Sequence, residues 1–183
     1  MNYADIKKVD VANGEGVRVS IFVSGCHHHC KGCFNECAWD FGYGNKFDED
    51  AKEKVINYMN HDYIKGLSLL GGEPLEPSNQ EGLLPLVKEV KEKFPDKTIW
   101  CYTGYDFQKD IVDGMNKTNP TTKELLKYID VVVDGKFDES QKSPKLRFRG
   151  SANQRILDAQ ETIKEDKPVE IPSLYEKDRP TFK

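Results

Sequence analysis

Residues 17–37 read Val-Arg-Val-Ser-Ile-Phe-Val-Ser-Gly-Cys-His-His-His-Cys-Lys-Gly-Cys-Phe-Asn-Glu-Cys and contain four of the chain's five cysteines. The first seven residues alternate apolar and polar side chains and are rich in β-branched residues, which predicts a strand. The cysteines therefore lie in a loop at the carboxyl end of that strand. Their Cys-x3-Cys-x2-Cys spacing lets Cys26, Cys30 and Cys33 offer three thiolates to one inorganic centre.

The triplet leaves one metal position without a protein ligand, because closed sites for zinc or for an iron-sulfur cube normally use four protein ligands. An iron-sulfur cube held this way keeps one iron free for an external ligand. Zinc is the alternative, since Cys37 and a histidine of the run His27-His28-His29 complete a tetrahedral set with Cys30 and Cys33. The spacing alone favours the cluster and leaves zinc open.

Beyond the cysteines, apolar runs alternate with helical periodicity. Strands are predicted at 67–70, 98–102 and 129–133, and helices at 48–60, 83–90, 107–115 and 122–128. This alternation predicts an α/β fold with βαβ units and a single parallel sheet. Loops at the carboxyl ends of parallel strands share one rim, where such folds hold their active sites. That rim collects the cysteine loop, Gly71-Gly72-Glu73-Pro74, Thr103-Gly104 and Asp134-Gly135-Lys136.

Length and charge limit the function classes. The 183 residues suit one domain, which we place at 1–160, with 161–183 as a charged surface tail or extension. The 27 lysines and arginines against 31 aspartates and glutamates, without a long basic run, argue against direct binding of nucleic acid. No signal-peptide pattern or membrane-spanning run is evident, and the bunched, odd-numbered cysteines suit a reducing compartment, so we expect a cytoplasmic protein without membrane association.

The Gly71-Gly72-Glu73-Pro74 stretch follows a buried strand and offers a backbone edge beside a carboxylate, which suits the ammonium group of a small ligand. Alone, it is more typical of an ordinary turn. Together with the cysteine triplet, it resembles the radical S-adenosylmethionine family. In that family the triplet ligates one 4Fe-4S cluster, S-adenosylmethionine chelates the open iron, and the Gly-Gly-Glu-Pro strand end contacts its amino group. The resemblance implies an incomplete (β/α) barrel.

The chain also resembles the activating enzymes of glycyl-radical proteins, and most closely the activators of anaerobic ribonucleotide reductase. This resemblance rests on Gly14-Glu15-Gly16-Val17-Arg18, the string from Cys26 to Asn35, Tyr102-Thr103-Gly104-Tyr105, Val133-Asp134-Gly135-Lys136-Phe137 and Arg147-Phe148-Arg149-Gly150-Ser151. It implies an oxidoreductase that cleaves S-adenosylmethionine reductively, so that a 5′-deoxyadenosyl radical abstracts hydrogen from a glycine of the large reductase subunit. Flavodoxin or ferredoxin is the implied one-electron donor.

By the same resemblance, the triplet cysteines are the catalytic and metal-binding residues. The implied cofactor-binding residues are Gly71, Gly72, Glu73, Pro74, Thr103, Asp134 and Lys136. Asp134 and Lys136 are about as typical of ordinary solvated charges. Many family members carry an aromatic residue where this chain has Gly32, so Phe34 and Tyr102 are alternatives for packing against adenine.

Other cysteines and histidines carry weaker signals. Cys37 and Cys101 are expected to be buried free cysteines. The histidine run either tunes the cluster through hydrogen bonds or is an ordinary polar loop. Arg147, Arg149, Asn153 and Arg155 face either the rim and partner or an ordinary edge strand.

Three functions compete with activation of ribonucleotide reductase. Within the same chemistry, the alternative substrate is another glycyl-radical enzyme, such as pyruvate formate-lyase. The cysteine triplet and the Gly-Gly-Glu-Pro stretch also fit radical enzymes that act on small molecules, such as those forming the deazaguanine ring, although the Arg-Phe-Arg-Gly segment favours a protein substrate by resemblance. A zinc-stabilised interaction module is the alternative from a different class.

Overall fold

One open sheet of seven strands organises residues 1–175, which are the residues described by this computed structural model. The strands are β1 (Asn2–Asp10), β2 (Val17–Val23), β3 (Asn45–Lys46), β4 (Ile64–Gly71), β5 (Thr98–Tyr102), β6 (Val131–Asp134) and β7 (Arg155–Asp158). Their order across the sheet is β3-β1-β2-β4-β5-β6-β7. The predicted α/β class is confirmed, and the predicted strands at 17–23 and 98–102 coincide with β2 and β5.

The sheet is mixed rather than wholly parallel. The central strands β2, β4, β5 and β6 are parallel to one another, whereas β1, β3 and β7 pair antiparallel to their neighbours. The prediction of a single parallel sheet is therefore wrong at both edges. A parallel pair needs a crossover of a dozen or more residues, and only residues 11–16 separate β1 from β2. This short connection permits only a hairpin.

The helices of the described residues lie between strands or after the last strand. They are α1 (Glu49–Met59), α2 (Pro77–Lys93), α3 (Asn116–Thr118), α4 (Pro120–Leu125), α5 (Ala159–Glu165) and α6 (Pro172–Tyr175), with a π-helical segment at Phe107–Met115 and 3-10 turns at Glu36–Trp39, Leu126–Tyr128 and Glu139–Gln141. Asp48 caps α1, because its side chain accepts a hydrogen bond from the N–H of Ala51 at 3.1 Å.

The two faces of the sheet are covered differently. Because successive residues of a strand point to opposite faces, Val19 and Ile21 of β2 pack with Leu67 of β4 and the helices α1 and α2 in the main apolar core. The opposite face carries a smaller cluster that includes Trp100 and Phe148. There the sheet is covered by loops, since Ser68 of β4 donates to the carbonyl of Asn13 in the β1-β2 connection at 2.6 Å.

Arg18 of β2 is buried on this loop-covered face, with 1% of its surface exposed. Its Nε donates to Ser68 Oγ at 2.8 Å, and its Nη atoms donate to the carbonyls of Glu15, Leu67 and Thr98 and to Thr98 Oγ1. All five guanidinium hydrogens thus meet neutral oxygens. Burial lowers the pKa of Arg18 to about 10, which leaves it a cation at neutral pH.

The predicted extension begins within α5 and continues to α6, where Leu174 is buried in the smaller apolar cluster. Its last part, residues 176–183, lies outside the described residues, and the division at residue 160 stays a prediction. Within residues 1–175, no helix has both the length and the apolar character needed to cross a lipid bilayer.

Candidate functional site

Loops at the carboxyl ends of β2, β4, β5 and β6 meet around a cavity of about 510 Å³. From the predicted rim, the cavity is lined by Cys26, Cys30, Cys33, Gly71, Gly72, Glu73, Thr103, Gly104 and Gly135. The structure therefore brings the cysteine triplet and the Gly-Gly-Glu stretch to one space. Pro74 is buried beside it and is not among the lining residues.

The cysteine loop directs backbone donors at its own sulfurs. Cys26 is 7% exposed, and burial raises the pKa of its thiol to about 11, while hydrogen bonds from the backbone N–H groups of His28 and His29 oppose that increase. The N–H of Asn35 donates to Cys33 Sγ at 3.4 Å. A buried thiolate needs a compensating cation, and hydrogen bonds to sulfur are one of the means by which proteins tune iron-sulfur clusters.

The other sulfurs lie elsewhere. Cys101 is fully buried on the helix-covered face, as predicted. Cys37 is exposed and donates to Asn35 Oδ1 at 3.5 Å, so the prediction that it is buried is wrong. Cys37 lies in the 3-10 turn Glu36–Trp39, on the outer side of the loop, and does not point into the core.

The structure does not assemble the zinc set. Within the described residues, no three His, Cys, Asp or Glu side chains come close enough together to hold a single metal ion. His27 and His28 bond to carboxylates, and His29 stacks on Trp39 with ring centroids 4.5 Å apart. An iron-sulfur cube does not require its cysteines to meet at one ion, because each ligand cysteine of such a cube binds a different iron.

Glu73 joins two of the cavity loops. The residue is 1% exposed; Oε1 accepts a hydrogen bond from the N–H of Leu75 at 2.9 Å, and Oε2 accepts one from the N–H of Gly104 at 2.7 Å. His28 Nε2 lies 3.0 Å from the same Oε2. The carboxylate is therefore occupied by protein donors, and it fixes the distance between the Gly-Gly-Glu-Pro turn and the Thr103-Gly104 turn.

The glycines of the turn allow the cysteine loop to approach. The N–H of Gly72 donates to the carbonyl of Val23 at 2.7 Å, and that of Glu73 to the carbonyl of Gly25 at 2.9 Å. A Cβ at residue 72 would lie 2.6 Å from the Gly25 carbonyl oxygen, and Gly71 adopts a φ of +112°. Only glycine fits this approach without displacing the cysteine loop.

Asp134 and Lys136 are separated from the triplet. The Asp134 carboxylate is fully buried; it accepts hydrogen bonds from the guanidinium of Arg155 at 2.9 Å and from the N–H of Phe107 at 2.8 Å. Lys136 lines an adjoining cleft that meets the main cavity at Gly104 and Gly135. Thr103 is buried in the cavity wall, where its Oγ1 accepts from the N–H of Tyr105 at 3.1 Å.

Aromatic residues line the cavity on two sides. Phe34 is 99% exposed at the mouth, whereas Tyr102 lies deeper, and its hydroxyl is buried without a hydrogen-bond partner within the described residues. Gly32 has a φ of +68°, a left-handed conformation that residues with a side chain rarely adopt, so an aromatic residue at this position would be strained. Phe22 also lines the cavity, and its place there is not predictable from the sequence, because strand alternation does not tell which face is covered by loops.

Arg147 and Arg149 line the main cavity, and Asn153 and Arg155 line the adjoining cleft. Arg155 also begins the edge strand β7, so for this residue a position at the cleft and a position on an edge strand hold together.

Comparisons with known proteins identify the family to which the chain is similar. Residues 12–157 match a family described as the 4Fe-4S single cluster domain. The anaerobic ribonucleoside-triphosphate reductase-activating protein of Haemophilus influenzae is 48% identical over 158 residues, which cover 85% of this chain and 97% of that protein. Proteins of the same name from Vibrio cholerae and Escherichia coli K12 are 44% and 40% identical, with the same coverage. The matched regions extend over nearly the whole length of these relatives.

Proposed function

This chain belongs to the 4Fe-4S single cluster domain family and, within it, to the anaerobic ribonucleoside-triphosphate reductase-activating proteins, and from this premise we propose that it activates such a reductase. The observation that carries the proposal is the convergence of three cysteines and the Gly-Gly-Glu stretch on one cavity. The chain is accordingly an enzyme whose substrate is another protein.

The donor set fits one 4Fe-4S cluster. Cys26, Cys30 and Cys33 would hold it, and the backbone N–H groups aimed at the Cys26 and Cys33 sulfurs would stabilise the bound thiolates. When bound, the cluster supplies the electron that cleaves S-adenosylmethionine to methionine and a 5′-deoxyadenosyl radical, which abstracts hydrogen from a backbone glycine of the reductase. Burial of Cys26 keeps water from this end of the cavity.

The residues assigned to S-adenosylmethionine act in two ways. Gly71, Gly72 and Thr103 line the cavity and would contact the molecule. The carboxylates of Glu73 and Asp134 each accept three hydrogen bonds from protein donors, so they would support the site by holding neighbouring loops in place. Pro74 would close the turn, and Lys136 would reach the ligand from the adjoining cleft. Phe34 at the mouth and Tyr102 in the wall would offer apolar surface to the adenine.

The remaining features agree with this role. The open sheet with α1 and α2 packed on one face supports the interpretation as an incomplete (β/α) barrel. The wall formed by Arg147 and Phe148 would meet the glycine-bearing segment of the large reductase subunit. Flavodoxin or ferredoxin would deliver the electron. We place the protein in the cytoplasm, where a reducing environment keeps the cysteines free.

The test is anaerobic reconstitution with iron and sulfide, followed by dithionite, S-adenosylmethionine and the reductase. We expect 5′-deoxyadenosine by chromatography and a glycyl radical signal by electron paramagnetic resonance. Absence of both products from cluster-loaded protein would refute the proposal. Replacement of the reductase by pyruvate formate-lyase tests the choice of partner, because a radical on that enzyme alone would reassign the substrate.

A further inference from the structure

Two histidines of the cysteine loop bond to carboxylates outside the loop. His27 Nδ1 lies 2.9 Å from Glu76 Oε1, and His28 Nε2 lies 3.0 Å from Glu73 Oε2. A carboxylate can only accept hydrogen bonds, so the ring nitrogen carries the hydrogen in each pair. Both contacts connect the cysteine loop to the segment that precedes α2.

The two pairs differ in solvent exposure. The His27 side chain is 73% exposed although its partner Glu76 is 6% exposed, whereas the side chains of His28 and its partner Glu73 are 11% and 1% exposed. Water can compete for a hydrogen bond made by an exposed ring, while a hydrogen bond between two buried groups is stronger because water does not compete for it. The His28 contact is therefore the one that can hold the loop.

His28 occupies a slot that depends on a glycine. Its ring packs edge-on against Tyr105, with centroids 4.5 Å apart. A Cβ at Gly104 would lie 2.5 Å from the His28 ring, and the three nearest atoms to that position all belong to His28. The N–H of Gly104 also donates to Glu73 Oε2. Three loops thus meet at one carboxylate oxygen.

His28 lies two residues after Cys26 in the same loop, so the position of its backbone limits where the Cys26 side chain can lie. We propose that His28 is a positioning residue: its ring, hydrogen-bonded to Glu73, fixes the cysteine loop against the other two loops and so holds Cys26 toward the cavity. This inference rests on the proposed function for its purpose, since a fixed loop matters only if the triplet binds a cluster.

The first experiment measures hydrogen exchange in iron-free, reduced protein. The amides of Gly25 and Cys26 donate to the carbonyls of Ala38 and Trp39, so they report opening of the loop. We expect His28→Ala to speed their exchange by about tenfold or more. His28→Gln retains an N–H donor of similar reach and should restore most of the protection. His27→Ala, the matched control, should change exchange by less than about twofold.

A second readout is iron loss. After reconstitution, a chelator should remove iron from His28→Ala several times faster than from wild type or His28→Gln. Equal rates of exchange and of iron loss in His28→Ala and wild type would overturn the proposal.

Gly104→Ala supplies an independent test if His28→Ala folds poorly. Its methyl group would displace the His28 ring without removing it, so iron loss should accelerate in the wild-type background. In the His28→Ala background the clash is absent, and Gly104→Ala should add little, which makes the two effects non-additive. A full additional effect in that background would show that residue 104 acts independently of His28, contrary to the proposal.

These measurements use neither S-adenosylmethionine nor reductase. Wild-type protein that binds the cluster but yields no 5′-deoxyadenosine would therefore refute the proposed function and leave the role of His28 intact. Conversely, active wild type with unaltered His28→Ala would refute only the positioning role.

Discussion

Replacement of Arg18 by methionine tests whether the buried guanidinium stabilises the loop-covered face. Methionine fills a similar volume and removes all five hydrogen-bond donors. The hydroxyls of Ser68 and Thr98 can rotate toward other acceptors, and the carbonyl of Glu15 belongs to an exposed residue that water can reach. The carbonyls of Leu67 and Thr98, each 2.8 Å from Nη2, lose this donor inside the protein.

The magnitude follows from those two oxygens. Each buried group left without its partner costs about 1–3 kcal/mol. The apolar methionine side chain recovers about 1 kcal/mol of transfer free energy. We therefore expect Arg18→Met to lower the free energy of unfolding by about 3 kcal/mol, which lowers the melting temperature by about 6–12 °C for a chain of this length. The free energy of unfolding of Arg18→Lys should lie between those of wild type and Arg18→Met, because lysine keeps a cation with three donors.

The assay is thermal and urea unfolding of iron-free, reduced protein, followed by circular dichroism. Lys65→Met, on an exposed position of the neighbouring strand β4, is the control and should change stability by less than about 0.5 kcal/mol. An Arg18→Met protein as stable as wild type would refute the reasoning, since it would show that dehydrating the guanidinium costs as much as its bonds contribute.

Three further predictions concern the site. Cys37→Ala should retain iron and most radical yield, whereas alanine at any triplet cysteine should abolish both; equal losses would return Cys37 to the ligand set. Gly72→Ala places a methyl group 2.6 Å from the Gly25 carbonyl oxygen and should lower stability by about 1–3 kcal/mol together with iron uptake; normal values of both would contradict the close approach. Burial raises the pKa of Cys101, which favours its neutral thiol. A thiol reagent at pH 8 should therefore modify Cys37 at once and Cys101 only after denaturation. The contribution of the neutral Cys101 thiol to stability should be lost as pH rises beyond 9.0, the ordinary thiol value. Rapid labelling of Cys101 in folded protein would contradict its placement.

The sequence predicts the central strands well because each has strong apolar periodicity and a sharp end at glycine or cysteine. It does not predict β1, where Ile6 and Asp10 are the buried residues of a largely polar strand. Its outer side is paired only at Asn2 and Tyr3, by the two-residue strand β3, so most of β1 lacks the two-sided burial that makes a pattern visible. Sequence patterns therefore do not predict the antiparallel edges of the sheet.

The site was predictable as a set of loops but not in its internal contacts. Strand ends place the cysteines and Gly71-Gly72-Glu73 on one rim, because parallel strands share a direction. Which groups a carboxylate faces depends on residues distant in sequence. Asp134 is engaged by Arg155, 21 positions later, and Glu73 by His28, 45 positions earlier. Local patterns carry no information about such pairings.

The helix-covered and loop-covered faces of the sheet contribute differently to the free energy of unfolding. On one face, Val19, Leu67 and the helices α1 and α2 form the cooperative core, whose opening requires exposure of a large apolar surface. On the other, the connections around Asn13 and Phe148 are loops that can open locally at a smaller free-energy cost. Opening on the loop-covered side thus need not disturb the central strands from which the loops of the cavity extend.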